Sequence, residues 1–156
     1  MFALNRAWLF CSLTVVAISL SQACKADAES DVLAAADALF AAIEARDAER
    51  FASLQIPEGA SLSMRATEDG EYTQRLRRNE ELFALVAEPE RRLKEVWLAQ
   101  PQVLVDGPIA LVWGRYRFYI NDQASHDGAN AMQFIHDGER WILANWTWTV
   151  EPLADD

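Results

Sequence analysis

The chain has 156 residues, of which 51% are hydrophobic and 24% are charged, with 14 Lys and Arg against 24 Asp and Glu. This length and apolar content support one globular domain with a packed core and exclude a wholly disordered chain. The net charge of -10 argues against binding to nucleic acids or to anionic membrane surfaces, because both require a basic face. Two cysteines and two histidines leave little material for a disulfide framework or a metal site, so we expect neither a metal nor a cofactor.

The first 23 residues have the pattern of a secretory signal peptide. Arg6 supplies a positive start, residues 7–20 form an uncharged apolar stretch, and Ser21-Gln22-Ala23 offers the small residues that a signal peptidase recognises. The apolar stretch is shorter than the roughly 20 residues that span a bilayer. The sequence therefore predicts export to the bacterial periplasm or to the surface of the cell-envelope membrane.

Cys24 follows Ala23 directly, which resembles a bacterial lipoprotein signal. A typical signal has Leu three residues before the cysteine, whereas here Leu20 stands four residues before it. Two alternatives stay open: simple cleavage after Ala23, or lipidation of Cys24 as the first mature residue. The second would avoid a free thiol in an oxidising compartment, and it is the only membrane contact that we expect.

Helical patterns dominate the first half of the mature chain. Residues 24–30 are polar and are predicted to be a tether, and a helix follows, with Asp31 in its first turn. Its apolar face repeats at spacings of three and four and consists of Val32, Ala35, Ala36, Leu39, Phe40 and Ile43. After a break at residues 56–59 we expect a short strand over residues 60–66 and a second helix over residues 73–86.

The second half of the chain has the composition of β-strands. Apolar, β-branched and aromatic residues predict four strands, separated by turns at Asp106-Gly107-Pro108, Asn121-Asp122-Gln123 and Asp137-Gly138, over residues 96–105, 109–120, 126–136 and 140–150. Helices followed by an antiparallel meander predict an α+β domain.

Several of these segments carry a family resemblance. The segments are Val112-Trp113-Gly114-Arg115-Tyr116-Arg117-Phe118-Tyr119, Ser125-His126-Asp127-Gly128, Phe134, Gly138, Trp141-Ile142-Leu143 and Thr147-Trp148-Thr149. Through them the chain resembles the nuclear transport factor 2-like superfamily, and within it the small SnoaL-like, lumazine-binding-like and ketosteroid-isomerase-like bacterial proteins. The resemblance covers residues 31–151 and leaves residues 152–156 as an acidic tail. The resemblance implies a curved antiparallel sheet wrapped into a cone around the N-terminal helices, enclosing an apolar pocket. It does not fix a function, because this superfamily contains enzymes, binding proteins and transport adaptors.

Alternation along the strands assigns side chains to the pocket. The resemblance suggests that Trp141 faces inward, and the parity of the strands then adds further candidates, which are Tyr116, Phe118, Asn130, Met132 and Asn145. A bulge would shift such an assignment by one residue. The alternative is a filled core in which these polar groups satisfy one another.

His126 is the ionisable candidate for catalysis, because its ordinary pKa lies near neutrality. Isomerase-like members of the superfamily use a desolvated Asp base, but at the expected position on the last strand this chain has Asn145. Asp37, Asp47 and Glu58 are the acids nearest to the predicted pocket, and none has an evident acid or base partner in the sequence.

The opposite face of the predicted sheet carries Trp113, Trp146 and Trp148. An exposed patch of this size indicates an interface, so we expect a homodimer over these tryptophans with Arg115 and Arg117 at its rim. The alternative is that helices or the N-terminal segment cover them.

Three functions are compatible with these patterns. The favoured one is an exported domain that binds a small hydrophobic or aromatic molecule. The second is a lyase or isomerase acting on a hydrophobic carbonyl compound, with His126 as base and with Tyr116 and Asn145 polarising the oxygen. The third is a protein-interaction module whose Trp face binds a different protein.

Overall fold

The computed structural model describes residues 9–153, and it describes side chains from residue 26 onward. The three helices are α1 (Leu9–Ala45), α2 (Ala48–Ser53) and α3 (Glu80–Val86). The seven strands are β1 (Ala60–Ala66), β2 (Tyr72–Arg78), β3 (Leu93–Trp97), β4 (Gln102–Asp106), β5 (Ile109–Ile120), β6 (Gln123–His136) and β7 (Trp141–Val150). Among the described residues, no helix is both long enough and apolar enough to cross a membrane.

The N-terminal predictions fall largely outside what the structure describes. The side chains of the predicted signal peptide and of Cys24 are outside the described part, as are residues 154–156 of the predicted acidic tail. Residues 24–30, which the sequence analysis assigns to a tether, belong to α1 in the structure.

One curved sheet contains all seven strands: six lie in the order β2-β1-β7-β6-β5-β3, and β4 pairs with β5 outside this order. All neighbouring strands are antiparallel except β1 and β7, which are parallel. The long strand β5 pairs with β4 along its first half and with β3 along its second half. Since one strand has two successive partners, the sheet can bend between them and form an unclosed cone with α1 packed inside. The predicted α+β cone is therefore confirmed.

The apolar face of α1 forms the centre of the core. Val32, Ala36 and Leu39 are completely buried, and Phe40 and Ile43 are nearly so, as the helical spacing predicts. The Phe40 ring packs against two tryptophans, Trp97 at 4.8 Å and Trp146 at 6.3 Å between ring centroids. Asp47 caps α2 by accepting a hydrogen bond from the Arg50 backbone N–H at 2.9 Å, so it stabilises a helix end.

Two predicted elements are wrong in their extent. The helix predicted over residues 73–86 is a strand up to Arg78, and only Glu80–Val86 is helical, because residues 72–78 pair with β1 across the turn around Gly70. The strand predicted over residues 96–105 is two strands, β3 and β4, interrupted before Gln102 at the position of Pro101, which has no N–H to donate to a ladder.

A bulge in β7 corrects the predicted faces of the last strand. Gln133 of β6 pairs with Asn145, but the next residue, Phe134, pairs with Leu143, so Ala144 is an extra residue in β7. Its carbonyl accepts a hydrogen bond from the Asn79 side chain at 3.1 Å, which stabilises the bulge. From Asn145 onward, the residues of β7 that simple alternation assigns to the concave face lie on the outer face, and those assigned to the outer face lie on the concave face.

Three residues therefore lie on the face opposite to the one predicted. Asn145, predicted in the pocket, lies on the outer side, where its amide donates to Gln133 at 2.8 Å and accepts from the Ala60 backbone. Trp146 and Trp148, predicted on an outer dimer face, lie on the concave side, where their rings contact each other at 5.5 Å. Of the three predicted outer tryptophans only Trp113, 44% exposed, lies outside.

Candidate ligand pocket

The concave side of the sheet encloses a cavity of about 380 Å³. This volume lies within the range of about 300–1,000 Å³ that is typical of small-molecule sites. The helices contribute Ile43, Phe51, Leu82 and Val86 to one wall, and the sheet contributes an aromatic wall that contains Tyr116, Phe118, Trp146 and Trp148. The core is therefore open at this end of the cone.

The remaining predicted pocket residues lie deeper in the cone. Asn130, Met132 and Trp141 are buried in the packed core and do not belong to the residues that line the cavity. They share the concave face with the lining residues, but helix α1 and its neighbours fill the space in front of them.

A buried carboxyl group, Glu95, lies in the wall of the cavity. Its Oε1 accepts a hydrogen bond of 2.5 Å from the Asn130 amide, the one hydrogen bond to this carboxyl from within the part of the chain that the structure describes. Burial raises the pKa of Glu95 to about 8, and the Asn130 hydrogen bond opposes this rise only in part. Near pH 7 the group is therefore mainly an uncharged acid that can donate a hydrogen bond into the cavity.

Asn130 fixes the position of this acid. Its Nδ2 donates to Glu95, and its Oδ1 accepts a hydrogen bond of 2.9 Å from the Trp146 indole N–H. Both ends of the amide are thus used, and the orientation of the side chain is determined by its partners. Because Oε1 of Glu95 is an acceptor here, the proton of the neutral acid belongs on Oε2.

His126 lies at the same level of the sheet as Glu95. Both residues pair with Phe118 of β5, Glu95 from β3 and His126 from β6. The imidazole stacks on the Phe118 ring at 5.0 Å and contacts the Tyr116 ring edge-on at 5.9 Å. Burial lowers the pKa of His126 below its ordinary value, and the charge of Arg65 lowers it further, so the ring is mainly neutral at pH 7.

Tyr116 is not available to polarise a ligand oxygen. Its hydroxyl already donates a hydrogen bond of 2.7 Å to the Thr149 backbone carbonyl, and burial raises the pKa of the phenol. The ring lies against Gly128, where an added Cβ would come within 2.6 Å of a ring carbon. Tyr116 is therefore a rigid part of the wall.

Sequence reasoning missed Glu95 because it began the strand at residue 96. The alternation that indicates a strand already begins at Leu93. Leu93, Glu95 and Trp97 alternate with Lys94 and Val96, which places Glu95 on one face with two apolar residues. Asp37, weighed as a base, instead accepts a hydrogen bond of 3.0 Å from the Trp97 indole. Within the described residues, no cluster of three or more His, Cys, Asp or Glu is arranged to hold a metal.

Comparison with solved structures identifies the fold. The beta subunit of a proposed aromatic-ring-hydroxylating dioxygenase from Novosphingobium aromaticivorans superposes with a TM-score of 0.66 at 12% identity, over 85% of this chain and 94% of that one. A nuclear transport factor 2-like superfamily protein from Salmonella enterica gives 0.64 at 12% identity, over 84% and 96%. A proposed dehydratase of the same family from Streptomyces avermitilis gives 0.60 at 16% identity, over 84% and 99%.

These similarities define a nuclear transport factor 2-like fold. At such low sequence identities the similarities show only the fold and not a function, since the same fold occurs in proteins with unrelated functions. No protein-family model matches the chain, and no curated protein matches it either.

The raised pKa of Glu95 predicts how stability depends on pH. The carboxyl has an ordinary pKa of about 4.3 in an unfolded chain and a pKa of about 8 in the folded one. The folded state therefore binds the proton more tightly than the unfolded state does. The contribution of Glu95 to the free energy of unfolding is fully present below about pH 4 and is lost as the pH rises through 8. We expect this group to reduce the free energy of unfolding by about 3–4 kcal/mol between pH 5 and pH 8.

Urea unfolding of wild type and Glu95→Gln at several pH values in this window measures the effect. The amide stays uncharged and still accepts the Asn130 hydrogen bond, so the variant should lose the decline with pH. Glu90→Gln, at an exposed position, is the matched control and should follow the wild type. If the free energy of unfolding changed with pH in the same way in wild type and Glu95→Gln, this would contradict the raised pKa of Glu95.

Proposed function

We propose that the protein binds a small, largely apolar molecule in the concave cavity. The observation that carries this proposal is the uncharged acid Glu95 in a wall that is otherwise mainly aromatic and aliphatic. Small-molecule sites typically combine an apolar lining with a few fixed polar groups that orient the ligand. Glu95 is held by Asn130 and is suited to donate a hydrogen bond to a carbonyl or ether oxygen.

The packing around the cavity supports a preformed site. The Asn130 bridge holds the acid, and stacking with Phe118 holds the His126 ring. A ligand that enters would therefore lose little affinity to the ordering of side chains. Trp146 and Trp148, which line the cavity, provide flat apolar surfaces for a ring or a chain.

A second candidate is catalysis on a hydrophobic carbonyl compound, as in a lyase or isomerase. It is favoured by one observation: His126 and Glu95 flank Phe118 in the sheet, and burial lowers the pKa of His126 and raises that of Glu95. His126 would abstract a proton beside the carbonyl while Glu95 replaces Tyr116 and Asn145 as the group that polarises the oxygen.

Hydrogen–deuterium exchange of 2-tetralone, followed by NMR, should then be accelerated by the wild type and not by His126→Ala. Equal acceleration by the variant would exclude His126 as base.

The outer face supports a homodimer. An apolar groove crosses this side of the sheet, and its exposed large residues are Leu104, Ile109 and Leu111, with Trp113 beside them. Arg115 pairs with Glu151 at 2.9 Å and Arg117 with Asp127 at 2.8 Å, which leaves the apolar groove as the unpartnered part of the face. Burial of this surface against a second copy is the simplest way to remove it from water. Trp146 and Trp148 are inside, so neither a second copy nor a different protein can bind through them, and the proposed dimer rests on the outer groove alone.

Export and lipidation of Cys24 stay predictions from the sequence. They are compatible with a binding domain that follows a cleaved leader or a lipid anchor. The intact mass of the protein recovered from bacterial membranes and from the periplasm distinguishes acylated Cys24, cleavage after Ala23 and an uncleaved chain, and the last result would contradict a cleaved signal peptide.

Filling the cavity should weaken binding. Ser63 lines the cavity and pairs with Trp148 across β1 and β7, so Ser63→Trp places an indole in the ligand space. The probe is N-phenyl-1-naphthylamine, a neutral molecule that fluoresces in apolar surroundings. We expect this variant to bind the probe at least about tenfold more weakly than the wild type does. Ser53→Trp, at an exposed position of α2, should bind the probe normally. Equal affinities in the two variants, both checked for folding by circular dichroism, would contradict the pocket.

The dimer prediction concerns the outer face alone. Trp113→Glu introduces a charge into the proposed interface and should convert a dimer into a monomer in size-exclusion chromatography with light scattering. Leu76→Glu, at a residue that is 69% exposed on the edge strand β2, is the control and should remain dimeric. A wild type that is monomeric at micromolar concentration would contradict the proposal.

A further inference from the structure

Three arginines line the outer part of the cavity. Arg65 comes from β1, Arg77 from β2 and Arg91 from the segment between α3 and β3. Glu88 is the acid that accompanies them, and it pairs with Arg91 at 3.7 Å. In a chain of net charge -10, this concentration of positive charge at one opening is a local exception.

The sheet register directs Arg65 toward the cavity. Ser61, Ser63 and Arg65 pair in turn with Trp146, Trp148 and Val150 of β7. The β7 residues lie on the concave face, and so do their β1 partners. Arg77 pairs with Ser61 on the other side of β1, so both guanidinium groups extend from the same face of the sheet.

These two arginines lack a direct carboxylate partner in the described part of the chain. Among the described residues, neither Arg65 nor Arg77 forms a salt bridge. Burial lowers the pKa of Arg77, and the neighbouring charge of Arg75 lowers it further, while Glu81 acts in the opposite direction. The charge of Arg65 reaches the imidazole of His126, whose pKa it lowers. A ligand anion beside these arginines would offset this repulsion between positive charges.

We propose that the ligand of this cavity is an amphipathic carboxylate whose carboxylate group pairs with an arginine at the opening, Arg65 or Arg77. This inference rests on the proposed function and names its ligand class. The planar guanidinium group matches the two oxygens of a carboxylate, which is the geometry of a strong charge-assisted pair. The apolar body lies between Phe118 and Trp148, and an uncharged oxygen at the buried end accepts a hydrogen bond from Glu95.

The polarity of the cavity also determines what it rejects. A second anion at the buried end would lose its hydration among apolar side chains. No charged side chain of the described residues contributes to the pKa shift of Glu95 there, so no cation would compensate for that loss. A cationic ligand would meet the arginines at the entrance. The site therefore selects for one negative charge at the exposed end and none at the other.

Calorimetric titration with two matched probes tests the inference. 1-Naphthoate and 1-naphthamide share the ring and differ in charge. We expect the wild type to bind naphthoate about tenfold or more tightly than naphthamide, because a hydrogen bond to a charged group contributes about that factor. Without a local positive site, the net negative charge of the protein would favour the amide.

The arginine variants identify the contact. At least one of Arg65→Gln and Arg77→Gln should reduce the preference for naphthoate several-fold and leave the affinity for naphthamide unchanged. Arg78→Gln is the matched control: Arg78 is the neighbour of Arg77 on the opposite face of β2 and pairs with Glu80 at 3.5 Å, so its loss should leave the preference intact.

The two proposals fail in different ways. Equal affinities for the two probes in the wild type, or an unchanged preference in both arginine variants, would overturn the carboxylate inference while the pocket stands. Failure of both probes to bind at millimolar concentration would overturn the proposed function as well.

Discussion

The side chain of Asn130 links three strands and sets the chemistry of the cavity. It donates to Glu95 on β3 and accepts from Trp146 on β7, while its own backbone belongs to β6. A buried amide with both ends satisfied rigidifies its surroundings. Here it holds an acid at the inner end of the cavity and an indole in the wall, so loss of Asn130 would release both and leave buried polar groups without partners.

Much of the fold follows from local patterns in the sequence. The spacing of Val32, Leu39 and Phe40 predicts the buried face of α1, and alternation in β5 places Tyr116 inside and Trp113 outside. These assignments succeed because one element and its periodicity determine them. The helix predicted over residues 73–86 fails because β2 owes its conformation to pairing with β1, a tertiary contact that overrides local preference.

The site is less predictable because it depends on two nonlocal features. The bulge at Ala144 is stabilised by Asn79, a residue 65 positions away, and no local signal in β7 reveals it. Without the bulge, Asn145 is assigned to the pocket and Trp146 to the surface, the reverse of their positions. The pKa of Glu95 likewise depends on burial by elements distant in the chain, so a glutamate that reads as an ordinary strand residue becomes the polar centre of the cavity.

The most direct test of this account is the titration of the Glu95 carboxyl itself. Protein labelled with 13C at the glutamate carboxyl carbons, compared with Glu95→Gln for assignment, reports its pKa by NMR with and without 1-naphthamide. We expect a pKa of about 8 in the free protein and a change in the Glu95 resonance when the neutral probe fills the cavity. A carboxyl that titrates near its ordinary pKa and does not respond to the probe would contradict a ligand site built around this acid.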